Sequence, residues 1–277
     1  MNVSFVTATY NRPKLLASTA FPSIQNQSDR NFELVVINDG ANPDTKEVVT
    51  SFKSSVDFPV RYLEMEHLRD GFGLCYARNL GIEVAAGDII TYLDDDNSIT
   101  SNFVASTRQY FYEHPHVRYG IVKQQRRRDV MERDRLIRQG KLFVSPSTNC
   151  CSLAELVDQQ EIFDSNGFTH YRVDAPKWNP QFKIFADYEY LLQAAQVWGE
   201  AAFGFNNSIL VNYIQSSHGI IGSSNYHQWV IELSNIVASS CNYAILQGNS
   251  REVLKQLVEI YKTKAQSHSI PKAFSQT

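Results

Sequence analysis

The sequence predicts an α/β fold: a mostly parallel central sheet flanked by helices, with helical segments at the C-terminus. Short β-branched and aromatic runs alternate with helix-like stretches across residues 1–120, the pattern of parallel strands joined by crossover helices. Polar clusters follow three of the apolar runs: "TATYN", "NDG" and "DDDN". Open sheets of this kind bind ligands beyond the carboxyl ends of their strands, so these clusters should gather along one edge. The composition suits a soluble globular chain, with 277 residues, 43% hydrophobic, 20% charged and a net charge of -3.

Each element has a local reason. "VSFVT" (3–7) is an apolar strand that ends at the breakers "NRP". Residues 14–25 read as a helix, disturbed at Pro22 because proline lacks an N–H and clashes with the preceding turn. "FELVVIN" (32–38) is the second strand, and "DTKEVVTSF" (44–52) a helix with Asp44 as its N-cap. "VRYLEM" (60–65) is the third strand, followed by the helix "LCYARNLGIEVAAG" (74–87), closed by Gly87. "DIITYL" is the fourth strand and "NFVASTRQYFYEH" (102–114) the next helix. Beyond residue 120 the pattern is mixed. "RYGIVKQ" reads as a strand, and the acids interspersed in "RRRDVMERDRLIRQGK" (126–141) favour a solvated helix or mobile loop. "FADYEYLL" opens a helix, and two helices close the chain near 226–247 and 250–266. One unit is expected, divided into 1–120, 121–225 and 226–277.

Several function classes are disfavoured. The small negative net charge gives no global field for nucleic acid. No apolar run reaches the length of a membrane span, although peripheral membrane contact stays open. The N-terminus lacks a secretory pattern, and Cys75, Cys150, Cys151 and Cys241 fit no zinc spacing. Free thiols in a cytoplasmic protein are expected. There is no Walker-type or Gly-x-Gly-x-x-Gly stretch.

Asp94, Asp95 and Asp96 sit side by side at the end of an apolar strand. Like charges there repel unless a cation pairs with them. In an isolated triplet a solvated turn would be the commonplace explanation. At a strand end in an α/β half a cation site is the better one. Mg²⁺ is often held by one or two carboxylates plus substrate phosphates. Asp39 in "INDGAN" offers a carboxylate to a base edge or ribose hydroxyl, and Thr9 and Tyr10 a polar group and a stacking face. Arg69, in a glycine-containing loop, and Arg78 and Asn79, in the helix feeding the acidic strand, complete the candidate substrate-binding set. Taken singly, each of these residues is more often a turn or a surface ion pair.

Together, "VSFVTATYNRP", "FELVVINDGAN", "ARNLGIEVAAGDIITYLDDDN" and "WNPQFKIFADYEY" resemble family 2 glycosyltransferases of the GT-A fold, and among them the spore-coat polysaccharide glycosyltransferase, over roughly residues 1–200. The resemblance implies an inverting, metal-dependent transfer of one sugar from a nucleoside-diphosphate sugar, a UDP-sugar being favoured, to a glycan or lipid-linked acceptor. Asp39 would hold the base. Asp95 would lie near ribose and metal, and Asp96 would ligate Mn²⁺ or Mg²⁺. Asp94 is an additional acid. Asp187 in "FADYEYLL" would be the catalytic base, with Glu189 the next candidate; helix capping is its commonplace role. "QAAQVW" (193–198) lacks the arginine of the processive Gln-x-x-Arg-Trp motif, which argues against polymer synthesis. His218 is a weak candidate for the metal. "STNCCS" (147–152) resembles a strand lining the sugar pocket, and Arg126–Arg128 could face an anionic acceptor. A sugar nucleotidyltransferase is the first rival, disfavoured because "TATYNRP" contains no glycine. A non-catalytic binding module is the second.

Overall fold

The computed structural model describes residues 1–68, 70–132, 135–149, 152–161 and 163–267. Strands β1 (Val3–Thr9), β2 (Phe32–Asp39), β3 (Val60–Met65) and β4 (Ile89–Tyr92) are parallel, in the order β3-β2-β1-β4. Every residue of β1, β2 and β4 is buried, because helices cover both faces. That is why they read as continuous apolar runs. Side chains alternate between two cores: Phe5, Leu34, Val36 and Ile89 enter one, and Val6, Val35, Ile37 and Ile90 the other.

The connecting helices carry small corrections. α1 (Pro13–Leu15), a π-helical turn (Leu16–Ala20) and α2 (Phe21–Gln25) form the first segment. The expected disturbance at Pro22 is thus a widened turn just upstream of it, where the missing N–H leaves the ladder short. α3 (Pro43–Ser55) is capped by Asn42, whose side chain accepts from the Thr45 N–H at 2.9 Å. Pro43 begins the helix one residue earlier than expected, so Asp44 lies in its first turn. α4 (Gly73–Val84) stops three residues before Gly87. Gly87 instead allows close approach, since a Cβ there would meet Ser4 and the Asn2 backbone. α5 is Phe103–Glu113.

The second half mixes directions. It contains β5 (Ser98–Ile99), β6 (Tyr119–Glu132), β7 (Arg135–Arg138), β8 (Phe143–Ser145), α6 (Leu153–Asp158), β9 (Phe168–Tyr171), α7 (Ala186–Trp198) and β10 (Phe203–Ser216). β9 lies antiparallel between β4 and β6, so β6 points the same way as β4. β10 is parallel to β6, and β5, β7 and β8 add antiparallel edges. Within the charged segment 126–141, residues 126–132 and 135–138 are therefore strand, not helix or loose loop. Arg126 pairs with Asp164, 38 residues further on, at 2.7 Å, and β10 pairs along β6 as far as Asp129; such long-range partners override the local pattern. The expected strand at 147–152 is displaced too: β8 ends at Ser145, and Ser147 and Thr148 donate to the Glu161 carboxylate. Cys150 and Cys151 lie outside the described residues.

α8 (Ile220–Ser223), α9 (Tyr226–Ala238) and α10 (Asn249–Ser267) close the described chain, with two 3-10 turns between α9 and α10. Glu232 of α9 accepts three backbone N–H groups, from Lys183, Ile184 and Phe185, at 2.8–3.0 Å. A carboxylate from another helix thus satisfies the donors that lead into α7. Among the described residues no helix is long and apolar enough to cross a membrane.

A buried polar cluster underlies the sheet edge. The His170 Nδ1–H donates to the Tyr171 carbonyl at 2.8 Å, leaving Nε2 to accept from the Tyr92 hydroxyl at 2.7 Å. Trp178 Nε1–H donates to the same hydroxyl at 3.1 Å, and its ring stacks on Tyr190 at 4.0 Å. Burial lowers the His170 pKa from 6.5 to about 4. The unfolded chain therefore binds this proton first, and stability is lost as pH falls from about 6.5 toward 4. A gap of this size corresponds to roughly 3 kcal/mol. Urea unfolding at pH 7 and at pH 4.5 should show a loss smaller by roughly 2 kcal/mol in His170→Gln than in the native chain, since part of the gap lies below pH 4.5; equal losses would exclude His170 as the source.

Candidate active site

The residues expected to hold the base meet at the carboxyl end of β2. Asp39 is buried, with one carboxylate oxygen 3.0 Å from His67 Nδ1 and the other lacking any hydrogen-bond partner. A buried oxygen without a donor is costly in the free protein and suits a ligand that brings one. Tyr10 is 46% exposed and stacks on His67 with centroids 4.3 Å apart. Gly73 opens α4 directly against Asp39; a Cβ there would run into the carboxylate. On the expectation that Asp39 holds a nucleotide base, Asp39→Ala should weaken both UDP and uridine binding by about tenfold or more, and Gly73→Ala should do so by displacing Asp39. Calorimetry decides: unchanged uridine affinity in both variants would place the base pocket elsewhere.

The acid triplet divides its partners. Asp94 accepts from Arg78 at 3.0 Å and from Asn166 Nδ2 at 2.8 Å, while its backbone N–H donates to Asn166 Oδ1 at 2.7 Å. Asp95 is fully buried, accepts from the Thr9 hydroxyl at 2.7 Å and faces Arg12 at 2.7 Å. Asp96, 30% exposed, faces the other guanidinium nitrogen of Arg12 at 2.7 Å. Burial pushes the pKa of Asp95 and of Asp96 upward, neighbouring carboxylates add to the rise, and Arg12 opposes it. Arg12 is therefore the internal counter-ion of Asp95 and Asp96.

Asp187 completes the cleft. Arg78, buried to 2%, donates from one nitrogen to Asp94 and from the other to Asp187, each at 3.0 Å. Its guanidinium also donates to the Ser165 hydroxyl and lies 4.3 Å from the Trp178 ring centroid. One fork thus ties strand-end Asp94 to Asp187, a carboxylate 109 residues beyond Arg78 along the chain. Burial raises the Asp187 pKa from 3.8 to about 6, with Asp164 and Asp94 adding repulsion against the pull of Arg78. A carboxylate with that pKa is ionised at neutral pH and basic enough to take a proton.

Among the other candidates, the amide of Asn79 is taken at both ends by the Trp178 backbone, at 2.7 and 2.9 Å, so it holds that loop instead of facing the cleft. Thr9 is committed to Asp95. Glu189 is no substitute for Asp187: it is 2% exposed and engaged by Tyr243 at 2.7 Å and Gln193 at 2.8 Å, within the packing under α7. Nor does Asp187 cap its helix. The N-cap is Phe185, and the donors there go to Glu232. His218 is exposed. Arg69 lies outside the described residues. Arg12, His67, Asp164–Asn166 and Trp178 were not anticipated. Arg12 stands inside "TYNRP", which by sequence alone reads as a turn. "DSN" (164–166) precedes its strand, and only the antiparallel direction of β9 brings it to this edge.

No group of three His, Cys, Asp or Glu side chains able to hold a metal occurs among the described residues. Asp94 and Asp96 are 25% and 30% exposed at the cleft and fit a hard cation that takes most of its ligands from donor phosphates.

A family model described as Glycosyl transferase family 2 matches residues 4–177. The chain is 32% identical over 107 residues to the GalNAc(5)-diNAcBac-PP-undecaprenol beta-1,3-glucosyltransferase of Campylobacter jejuni, covering 39% of this chain and 33% of that protein. It is 32% identical over 94 residues to the chondroitin synthase of Escherichia coli, covering 34% of this chain and 13% of that one. The matches thus span a third or less of these curated relatives. The structure of S. aureus TarS 1-349 in complex with UDP-GlcNAc superimposes with a TM-score of 0.68 at 15% identity, over 97% of this chain and 74% of that one. The mannosyltransferase PcManGT from Pyrobaculum calidifontis, in complex with GDP-Man and Mn2+, gives 0.59 at 15% identity, over 95% and 69%. At these identities the likeness is one of fold.

Proposed function

The chain belongs to glycosyl transferase family 2 and has the GT-A fold, and on that premise we propose that it transfers one sugar, with inversion, from a nucleoside-diphosphate sugar to a hydroxyl of a glycan or lipid-linked acceptor. The observation that carries this reading is the Arg78 fork, which ties Asp94 to Asp187 in one cleft. A UDP-sugar is the favoured donor, with its base at Asp39, Tyr10 and His67. Asp187 takes the proton of the attacking acceptor hydroxyl. Arg78 keeps that carboxylate ionised near neutral pH and fixes its direction. Arg12 and Thr9 hold Asp95 in place. A divalent cation, Mn²⁺ or Mg²⁺, would sit at Asp96 with Asp94 beside it and, when bound, would supply charge stabilisation to the departing diphosphate. UDP-GlcNAc in TarS and Mn2+ in PcManGT, on the same fold, support the choice of donor class and cation.

Thermal shift against a panel of nucleotide sugars with Mn²⁺ tests the donor. A ligand at 100 times its dissociation constant stabilises by roughly 2.7 kcal/mol, and release of nucleoside diphosphate then tests turnover. Tight binding without release would support a binding module. The cation assignment has its own test. Asp96→Ala should weaken UDP binding by tenfold or more in saturating Mn²⁺, spare uridine, and change UDP binding little in EDTA. Equal UDP affinity in both proteins with metal would remove Asp96 from the site.

A further inference from the structure

The consecutive arginines Arg126, Arg127 and Arg128 of β6 meet three different surroundings. Alternation along the strand sends Arg126 and Arg128 to one side and Arg127 to the other. Arg127 grips both oxygens of Asp129 at 2.8–3.0 Å. Arg126, 3% exposed, pairs with Asp164 at 2.7 Å and lies 4.0 Å from the Tyr213 ring centroid. Arg128 is half-buried and has a different set of neighbours. Its Nε–H donates to the Gln215 side chain at 3.1 Å, and its guanidinium lies 4.9 Å from the Phe143 ring centroid. Among the described residues, its two terminal nitrogens have no hydrogen-bond acceptor and no carboxylate at ion-pair distance.

This side of β6 belongs to the cleft. Asp164, held by Arg126, adds to the rise in the Asp187 pKa that burial begins. β10 runs beside β6, with Tyr213 opposite Arg126 and Gln215 opposite Arg128. Between them the Ile214 N–H donates to the side chain of Asn97, next to the acid triplet, at 2.8 Å. Arg128 therefore stands roughly 7 Å further along β6 than the Arg126–Asp164 pair, at the usual strand rise. Burial and the charge of Arg126 lower its pKa, opposed by Tyr213, with no carboxylate among the causes. A guanidinium half out of water without a counter-ion is costly in the free protein and suits a ligand that brings one. Its free terminal nitrogens form a fork that matches two oxygens of a phosphate or carboxylate.

We propose that Arg128 is a subsite for an oxyanion, phosphate or carboxylate, carried by the sugar acceptor. Gln215 and Phe143 fix the guanidinium, and the Arg126–Asp164 pair separates it from the base Asp187. The binding of an anion stands on this side of β6 alone. Only its assignment to the acceptor rests on the function proposed above.

Calorimetry with glucose 1-phosphate, glucuronate and glucose tests the proposal in protein saturated with UDP and Mg²⁺, which fill the donor's own phosphate site. At least one of the two anions should bind tenfold or more tightly than glucose. Arg128→Gln should weaken that anion by roughly 10–100-fold, the range for a hydrogen bond to a charged group. A response to glucose 1-phosphate alone would identify a phosphate, and to glucuronate alone a carboxylate. Arg128→Lys keeps the charge without the fork and should fall between native and Gln. Arg135→Gln, at an exposed position opposite Glu132, should change nothing. Neither anion binding better than glucose, or equal weakening by Arg135→Gln, would overturn the proposal. So would an Arg128→Gln protein that loses stability in urea but keeps its anion affinity, which would make Arg128 a packing residue. UDP affinity, measured in parallel, should be unchanged in every variant. If UDP does not bind at all, the same titrations without it still read the dependence on Arg128, so the subsite and the transferase assignment fail separately.

Discussion

Sugar transfer by Asp187→Asn should fall by roughly 10²–10⁴-fold, while nucleotide-sugar affinity stays close to that of the native enzyme. Asn keeps the shape and can still accept from Arg78, but it takes no proton at neutral pH. Helix α7 should start as before, because the N–H groups of Lys183, Ile184 and Phe185 just ahead of it go to Glu232 and its N-cap is Phe185, not Asp187. The pH profile gives a second readout. Asp187 titrates near 6, above its ordinary 3.8, so native transfer should decline about tenfold per unit below pH 6 as the base is protonated. The residual activity of the variant should lack that limb. A folded Asp187→Asn protein with near-native transfer would sink the assignment, and Glu189, locked to Tyr243 and Gln193, offers no replacement.

Arg78 should matter for both stability and chemistry. Arg78→Ala removes a guanidinium that is 2% exposed and leaves Asp94 and Asp187 facing each other beside a gap against Trp178. Breaking a buried pair costs about 3–5 kcal/mol. Since the two carboxylates keep 25% and 30% of their surface, about 3 kcal/mol is expected in urea unfolding. Arg78→Lys restores a charge but cannot span two carboxylates and Ser165 while stacking on Trp178. It should recover much of the stability and little of the transfer rate. The sign of the pH effect follows from the same geometry. Arg78 pulls the Asp187 pKa down, so weakening that pull should move the acid limb above pH 6. A Lys variant with native rate and an unmoved limb would reduce Arg78 to a packing residue.

The first half of the fold was legible because its signals are local. A strand buried on both faces must be apolar along its whole length, and β1, β2 and β4 are. Their polar endings then mark the ligand edge, which is how Asp39 and Asp94–Asp96 could be named from sequence. Asp187 was reached through a family resemblance, since an acid near the start of a helix has a commoner role as a cap. The second half was less legible. Segment 126–141 has the composition of a solvated helix, yet 126–132 and 135–138 are strand because Asp164 and β10 supply partners from other parts of the chain. "DSN" (164–166) was missed because β9 runs against its neighbours, so the residues before it, not after it, reach the site.

By itself the sequence determined the strand-and-helix order of the first half, the edge at which its polar strand endings meet and the three acids placed there, because hydrophobic period and strand-end chemistry are written in neighbouring residues. Only the tertiary structure decided what neutralises those acids, Arg12 on one side and Arg78 on the other, and that Arg78 reaches Asp187. It also decided that Glu189 is structural and that Arg126 and Arg128 share the side of β6 that faces the cleft. The physical reason is the same in each case. A charge finds its partner by distance in space, and pairs separated by up to 109 residues leave no periodic trace along the chain.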